Sequence, residues 1–223
     1  MTDPAYREAV STPGPLSSEL RHLAATCALA AVGDGLASET GCRAALSDGV
    51  RAASLREAFL QSYLFLGYPR AIEALGALNR ALVSLGREET EGIPPESPPL
   101  DTAAVRTAGE ELCRWIYGPV YEPLRRKVAR LHPLLDRWMV EEGYGRVLSR
   151  PELSPREREF GVLPALVVLR AEPQLESHLR GALRVGATPA ELEQIVGIAA
   201  RLAGEPAAEI ARRTLARVLG REP

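Results

Sequence analysis

Glu159 and His178 are the residues of this chain whose types best suit proton chemistry. A histidine titrates near neutral pH, so it can hand over a proton and take it back, and a partly buried glutamate can hold or recharge it. Arg158, Arg180 and Arg184 lie nearby in sequence and carry the forked guanidinium that grips a carboxylate through two hydrogen bonds. Gln174, one helical turn before His178, shares its face. Such a set has the parts for acid–base work on a small anion: a seat for a carboxylate and a group that gives and takes a proton. His178 and Arg180 point about 200° apart on one helix, so another segment must help if both face one pocket. Plain roles compete with these. A lone histidine on an amphipathic helix can be structural, and Glu159, in Arg156-Glu157-Arg158-Glu159, can be a first-turn acid favoured by the helix dipole.

The stretch that holds both residues, Glu159 to Pro206, occurs twice. Stepping back 137 residues, from Gly186 to Gly49, lays an earlier copy over it without a gap. Leu16 falls on Leu153, Ser17 on Ser154, Arg21 on Arg158, Arg43 on Arg180, Gly67 on Gly204, Pro69 on Pro206 and Leu82 on Leu219. Because both Gly-x-Pro breaks coincide, the match includes punctuation as well as alanine and leucine. Repeats of this length are supersecondary units that bury their apolar faces against one another. The copies differ where chemistry is concerned: His22 and Gly41 stand where the later copy has Glu159 and His178.

No period-two alternation occurs, and apolar residues recur at three- and four-residue spacing, so the chain reads as all-α, two tandem repeats each built around a helical hairpin. The first repeat spans 1–86 with its core at 16–86, and residues 1–15 read as a loose lead-in. Helices are predicted over 20–32, 37–47, 54–66 and 70–85. A Pro/Gly-rich linker follows at 87–100, with Gly92, Pro94, Pro95, Pro98 and Pro99. A connecting segment, 101–152, carries helices at 102–117, 121–131 and 133–143 and then a loop at 143–151. Its Trp115, Tyr117, Tyr121 and Trp138 are expected to pack it onto the two halves. The second repeat, 153–223, carries helices at about 155–170, 173–185, 189–202 and 206–219, with a kink predicted at Pro164. Glu57 and Gln61, on a nearly all-apolar helix, read as pocket lining or as buried contacts; Tyr63, Phe65 and Tyr68 read as core or subunit contact.

With 223 residues and a net charge of −2 the chain can bury a real core and carries no basic stripe, which argues against nucleic acid. The polar opening with its prolines does not read as a signal peptide, and no apolar run is long enough to span a bilayer. Cys27, Cys42 and Cys113 are odd in number and form no CxxC, so they signal neither a disulfide framework nor a zinc site. The expectation is a cytoplasmic protein with no metal and no cofactor.

The pattern resembles the carboxymuconolactone decarboxylase and alkylhydroperoxidase-D family. The residues that carry the resemblance are Tyr144 to Ser154 (YGRVLSRPELS), Arg158-Glu159, His178 to Gly186 (HLRGALRVG) and, in the first copy, Leu60 to Ala71 (LQSYLFLGYPRA). It covers most of 16–86 and 130–220. The resemblance implies an all-α fold around a helical hairpin, homo-oligomers (a trimer or another ring), and cofactor-free small-molecule chemistry. The family's peroxidase branch carries a Glu followed by Cys-x-x-Cys-x-x-x-His. By position its Glu falls on Glu159 and its His on His178, but its cysteines fall on Ala171 and Gln174, and in the first copy on Asp34 and Ala37. A thiol peroxidase needs an accessible low-pKa thiolate and a resolving partner, so that activity is disfavoured.

Two readings remain. One is a cofactor-free decarboxylase, or related lyase, of a small carboxylated lactone or acid, with His178 as proton donor, Glu159 as its partner, and Arg158, Arg180 and Gln174 binding substrate. The other is a non-catalytic oligomeric binding or scaffolding member. A geometric difficulty attends the first. At 1.5 Å rise per residue, Glu159 lies about 18 Å from the hairpin turn and His178 about 8 Å. A straight antiparallel pair then holds them apart unless the Pro164 kink or a partner chain closes the gap.

Overall fold

Side-chain caps set where the helices of each repeat begin. Ser17 accepts from the backbone N–H of Leu20, and the helix that follows, α2 (Ser18–Val32), is apolar on nearly all sides and buried from His22 to Ala31. Ser154, its counterpart, forms a capping box with Glu157 and opens α8 (Pro155–Val168), buried from Arg158 to Val167. Helices with no polar face belong in the middle of a fold, and α2 and α8 pack against each other there. The computed structural model describes residues 3–94 and 101–221, and no strand occurs among them.

Around this pair the first repeat places α3 (Gly35–Ser47) and α4 (Ala52–Ser84), and the second places α9 (Glu172–Arg184), α10 (Pro189–Ala203) and α11 (Ala207–Val218). The third helix of each repeat covers the first helix of the other: α4 lies on α8, and α10 on α2. One core joins α1, α2 and the second repeat through Leu29, Phe160, Leu163, Leu179, Leu192 and Ile195. Another sits between α2, α3 and α4 around Leu23, Leu55, Phe59, Leu78 and Leu82. α4 is one element broken at Gly67, whose φ of 76° and ψ of 168° only glycine adopts readily; Gly204, its repeat partner, has φ 69° and ψ −178°.

Between the repeats come α5 (Thr102–Tyr117), a short 3-10 turn (Gly118–Val120), α6 (Tyr121–Leu131), α7 (Pro133–Trp138) and a π-helix (Met139–Leu148). α5 and the π-helix touch backbone to backbone: a Cβ on Gly109 would sit 2.2 Å from the Val140 carbonyl oxygen, and one on Gly145 2.1 Å from that of Val105. A third cluster, Cys113, Ile116, Tyr117, Tyr121, Tyr144 and Leu148, fastens this segment.

Several expectations are corrected. The lead-in is not loose: α1 (Pro4–Ser11) starts at Asp3, which caps Ala5, with Pro4 at the first helical position, and it buries Tyr6 and Ala9. Residues 143–148 are helical, and Gly145 serves close packing on α5 rather than a loop. Pro164, where a kink is predicted, lies inside α8, which continues to Val168. Trp115 and Trp138 do not pack the segment onto the repeats; they are 56 % and 58 % exposed, whereas Tyr117 and Tyr121 are buried. Residues 85–94 are turns and irregular, and Pro95, Pro98 and Pro99 of the linker lie outside the described residues. No helix among the described residues is long and apolar enough to cross a membrane.

Candidate active site

Glu159 projects from the first turns of α8 and His178 from the middle of α9, and their side chains meet: Nδ1 of His178 lies 2.8 Å from Oε2 of Glu159. The expected obstacle was one of counting. α8 ends at Val168 and α9 begins at Glu172, so 169–171 belong to the turn. Glu159 is then nine residues from its helix end and His178 six, an axial offset of about 4.5 Å that the two side chains span. Neither a break at Pro164 nor a second chain is needed.

Both groups are buried. With Glu159 ionised, Nδ1–H of His178 donates to it, and the imidazole is held in one orientation by the edge of Phe65, whose ring centre is 5.4 Å away. Among the described residues Nε2 of His178 has no hydrogen-bond partner. It is the nitrogen left to exchange a proton with a ligand. Gly181, one turn past His178, lets Ile116 and Glu159 pack close: a Cβ there would sit 2.9 Å from the Ile116 side chain and 3.5 Å from Oε1 of Glu159.

Arg158 joins this pair. Its guanidinium donates through Nη1 to Gln61 Oε1 (3.1 Å) and through Nη2 to Glu57 Oε2 (3.2 Å) and the Arg150 carbonyl (2.7 Å). Glu57 also takes a bidentate contact from Arg150, and these two cations hold its carboxyl below the usual range against the opposing effect of burial. Among the described residues Nε of Arg158 is buried with no hydrogen-bond partner. Arg158, Glu159 and His178 line one cavity with Leu112, Ile116, Leu148, Pro155 and Val162, and its volume is about 10 Å³, room for one water at most. α5 supplies Leu112 and Ile116 and so closes the site.

The other expected residues are elsewhere. Arg180 points to solvent and pairs with Glu176 at 3.0 Å, as its opposed angle on α9 foretold. Gln174 is exposed near the start of α9. Arg184 donates to the Ile116 carbonyl at the end of α5. Sequence reasoning missed the wall made by Leu112, Ile116 and Leu148, and gave Phe65 only a packing role; Leu112 and Ile116 lie outside every motif singled out, and Leu148 and Phe65 lie inside motifs whose spacing to the pair does not mark them as lining it. Tyr117 and Tyr144, hydroxyl to hydroxyl at 2.8 Å, carry a raised pKa, chiefly from burial and with the Glu159 charge adding to it.

The first repeat fills the matching position differently. His22, in place of Glu159, meets the hydroxyl of Tyr6 at 2.8 Å on one side and Asp48 at 2.9 Å on the other. Tyr6 also reaches the carbonyl of Gly41, the residue in the place of His178; a Cβ there would be 3.2 Å from the Tyr6 ring. Its own α1 thus plugs that half. The cysteines are all buried, and burial pushes the Cys27 and Cys113 thiols up to about 12. No cluster of three or more metal-ligating side chains occurs among the described residues.

Comparison with known proteins gives a consistent picture. A family model described as "Carboxymuconolactone decarboxylase family" matches residues 4–80 and 133–217. The unmatched stretch between them contains α5 and α6. "Peroxisomal protein 2" of Schizosaccharomyces pombe is 32 % identical over 161 residues, 68 % of this chain and 69 % of that protein. "Peroxisomal protein 2" of Saccharomyces cerevisiae is 27 % identical over 168 residues, 66 % of this chain and 59 % of the relative's length.

Proposed function

The chain belongs to the carboxymuconolactone decarboxylase family, and on that premise we propose that it is a cofactor-free decarboxylase, or related lyase, of a small carboxylated lactone or acid. The observation that carries the proposal is the buried contact of 2.8 Å between Glu159 and His178 beside the unpartnered Nε–H of Arg158. In the reaction the C–C bond to the carboxylate breaks, carbon dioxide leaves, and the electron pair passes into an enolate. The imidazolium of His178 then protonates the enolate carbon from Nε2, while the Glu159 carboxylate stabilises the positive ring and keeps it oriented. Arg158 Nε–H is the donor available to a substrate oxygen, since Arg180 is turned away. A lactone needs more room than a 10 Å³ cavity gives, so binding requires α5 to move Leu112 and Ile116 aside. Buried, protonated thiols without the CxxC spacing support no thiol peroxidase. The homo-oligomer that family resemblance implies would cover exposed apolar side chains such as Leu36, Tyr68 and Ile72.

The test is carbon dioxide release from a panel of carboxylated lactones and β-keto acids. His178→Ala is expected to lower release by about 100-fold or more, the usual weight of a positioned acid. Release that is indifferent to His178, or none from any substrate, would favour the binding or scaffolding role.

A further inference from the structure

The hairpin of α6 and α7 carries a surface that the site does not use. Over 121–138 it has five basic residues and two acidic ones, a net charge of +3 on a chain whose total is −2. Both acids are occupied: Glu122 pairs with Arg114, and Asp136 with Arg125, Nη2 to Oδ2 at 2.8 Å. Arg137 is occupied too, by Glu141. Arg126, Lys127 and Arg130 have no ion-pair partner among the described residues, and all three are exposed. Along α6 they recur at helical spacing with Pro123 and Leu131, and these five line one groove of about 400 Å³. Beyond it the hairpin exposes Leu131 (72 %), Leu134, Leu135 and Trp138, four large apolar side chains within eight positions. The opposite side of the hairpin is anchored through buried Tyr121, which packs with Cys113, Tyr117 and Tyr144.

We propose that this hairpin docks the protein on an anionic lipid surface, with Arg126, Lys127 and Arg130 against the headgroup phosphates and the leucines and Trp138 in the interfacial layer. Unpaired cations beside leucine and tryptophan are what such a boundary takes: long basic side chains keep their charge at the headgroups while their stems and neighbours lie on apolar ground. A second copy meeting the same face across a two-fold axis would set one positive patch on another. A nucleic acid would leave the apolar ridge in water. Membrane crossing is not involved, since the hairpin would lie on the surface and no helix among the described residues is long and apolar enough to span.

Co-sedimentation of the full chain with vesicles tests the idea. Vesicles of phosphatidylcholine with phosphatidylglycerol are expected to carry the protein down at low salt, and vesicles of phosphatidylcholine alone are not. Combined Arg126→Gln, Lys127→Gln and Arg130→Gln substitutions, all at exposed positions, should weaken partitioning about a hundredfold. Trp138 emission should shift to the blue on the anionic vesicles, and do so unchanged in Trp115→Phe, which removes the other tryptophan. Equal partitioning to both lipids, none to either, or an unaltered triple variant would overturn the proposal. So would a wild-type dimer that the triple variant or Trp138→Ala breaks, since the face would then belong to a second copy. Binding to an acidic peptide in place of anionic vesicles would overturn it as well.

Discussion

His22 stands between a buried phenol and a solvent-facing carboxylate, and burial pushes its pKa below the ordinary histidine value while the Asp48 hydrogen bond and charge pull the other way. With the ring neutral, Nε2–H donates to Asp48 and Nδ1 accepts from Tyr6, whose proton is shared with the Gly41 carbonyl. A base with a depressed folded-state pKa binds fewer protons folded than unfolded. Stability is therefore full above the unfolded value near 6.5 and is lost as pH falls from there toward the folded value. The melting temperature is expected to drop between pH 7.5 and 5.5, and the drop to shrink in His22→Gln; an equal slope in both proteins would remove His22 as the cause. At this scale the sequence was informative about one pair. The repeat register singled out Glu159 and His178 because a gapless overlay exposes where two copies differ. It was silent on Tyr6, Leu112 and Ile116, which reach their sites from segments with no fixed spacing to the residues they touch.

Each repeat turns from its first helix to its second through one residue with positive φ. In the first this is Gly33 at 83°; in the second, at the same repeat position, it is Arg170 at 55°. Glycine holds that conformation without strain, whereas a residue with a Cβ pays roughly 1 kcal/mol or more. Arg170 is exposed, so Arg170→Gly should raise stability by up to about 1 kcal/mol and the melting temperature by about 2 to 4 °C. A calorimetric scan showing no rise would mean that the arginine is stabilised there by something other than backbone conformation. The helices of both repeats were legible from caps, glycine stops and apolar spacing. α1 was hidden because Pro4 and Pro13 resemble loop punctuation, although a proline at the first helical position starts a helix. The π-helix was hidden because its two glycines signal a turn in sequence, whereas in space Gly145 serves close packing on α5.

Glu57, on the first repeat, holds Arg158 of the second, and both are buried. Removing one member of such a pair leaves a charge without compensation, so Glu57→Gln is expected to cost about 3 kcal/mol, read as a lower urea midpoint with an unchanged slope. A loss well under about 1 kcal/mol would show that Arg150, Gln61 and the backbone carbonyl suffice without the carboxylate. That two repeats make one molecule was visible in the sequence; that each covers the other was not, because periodicity gives a helix its apolar face but not its neighbour. This mutual cover by the third helices, each of which also packs within its own repeat, has a consequence for assembly. Each half has a face that only the other half completes, and a chain of two halves brings those faces together at an effective concentration fixed by the tether, on the order of millimolar. The inner interface is thus indifferent to dilution, and how much of the protein is made has no bearing on whether Arg158 finds its carboxylate.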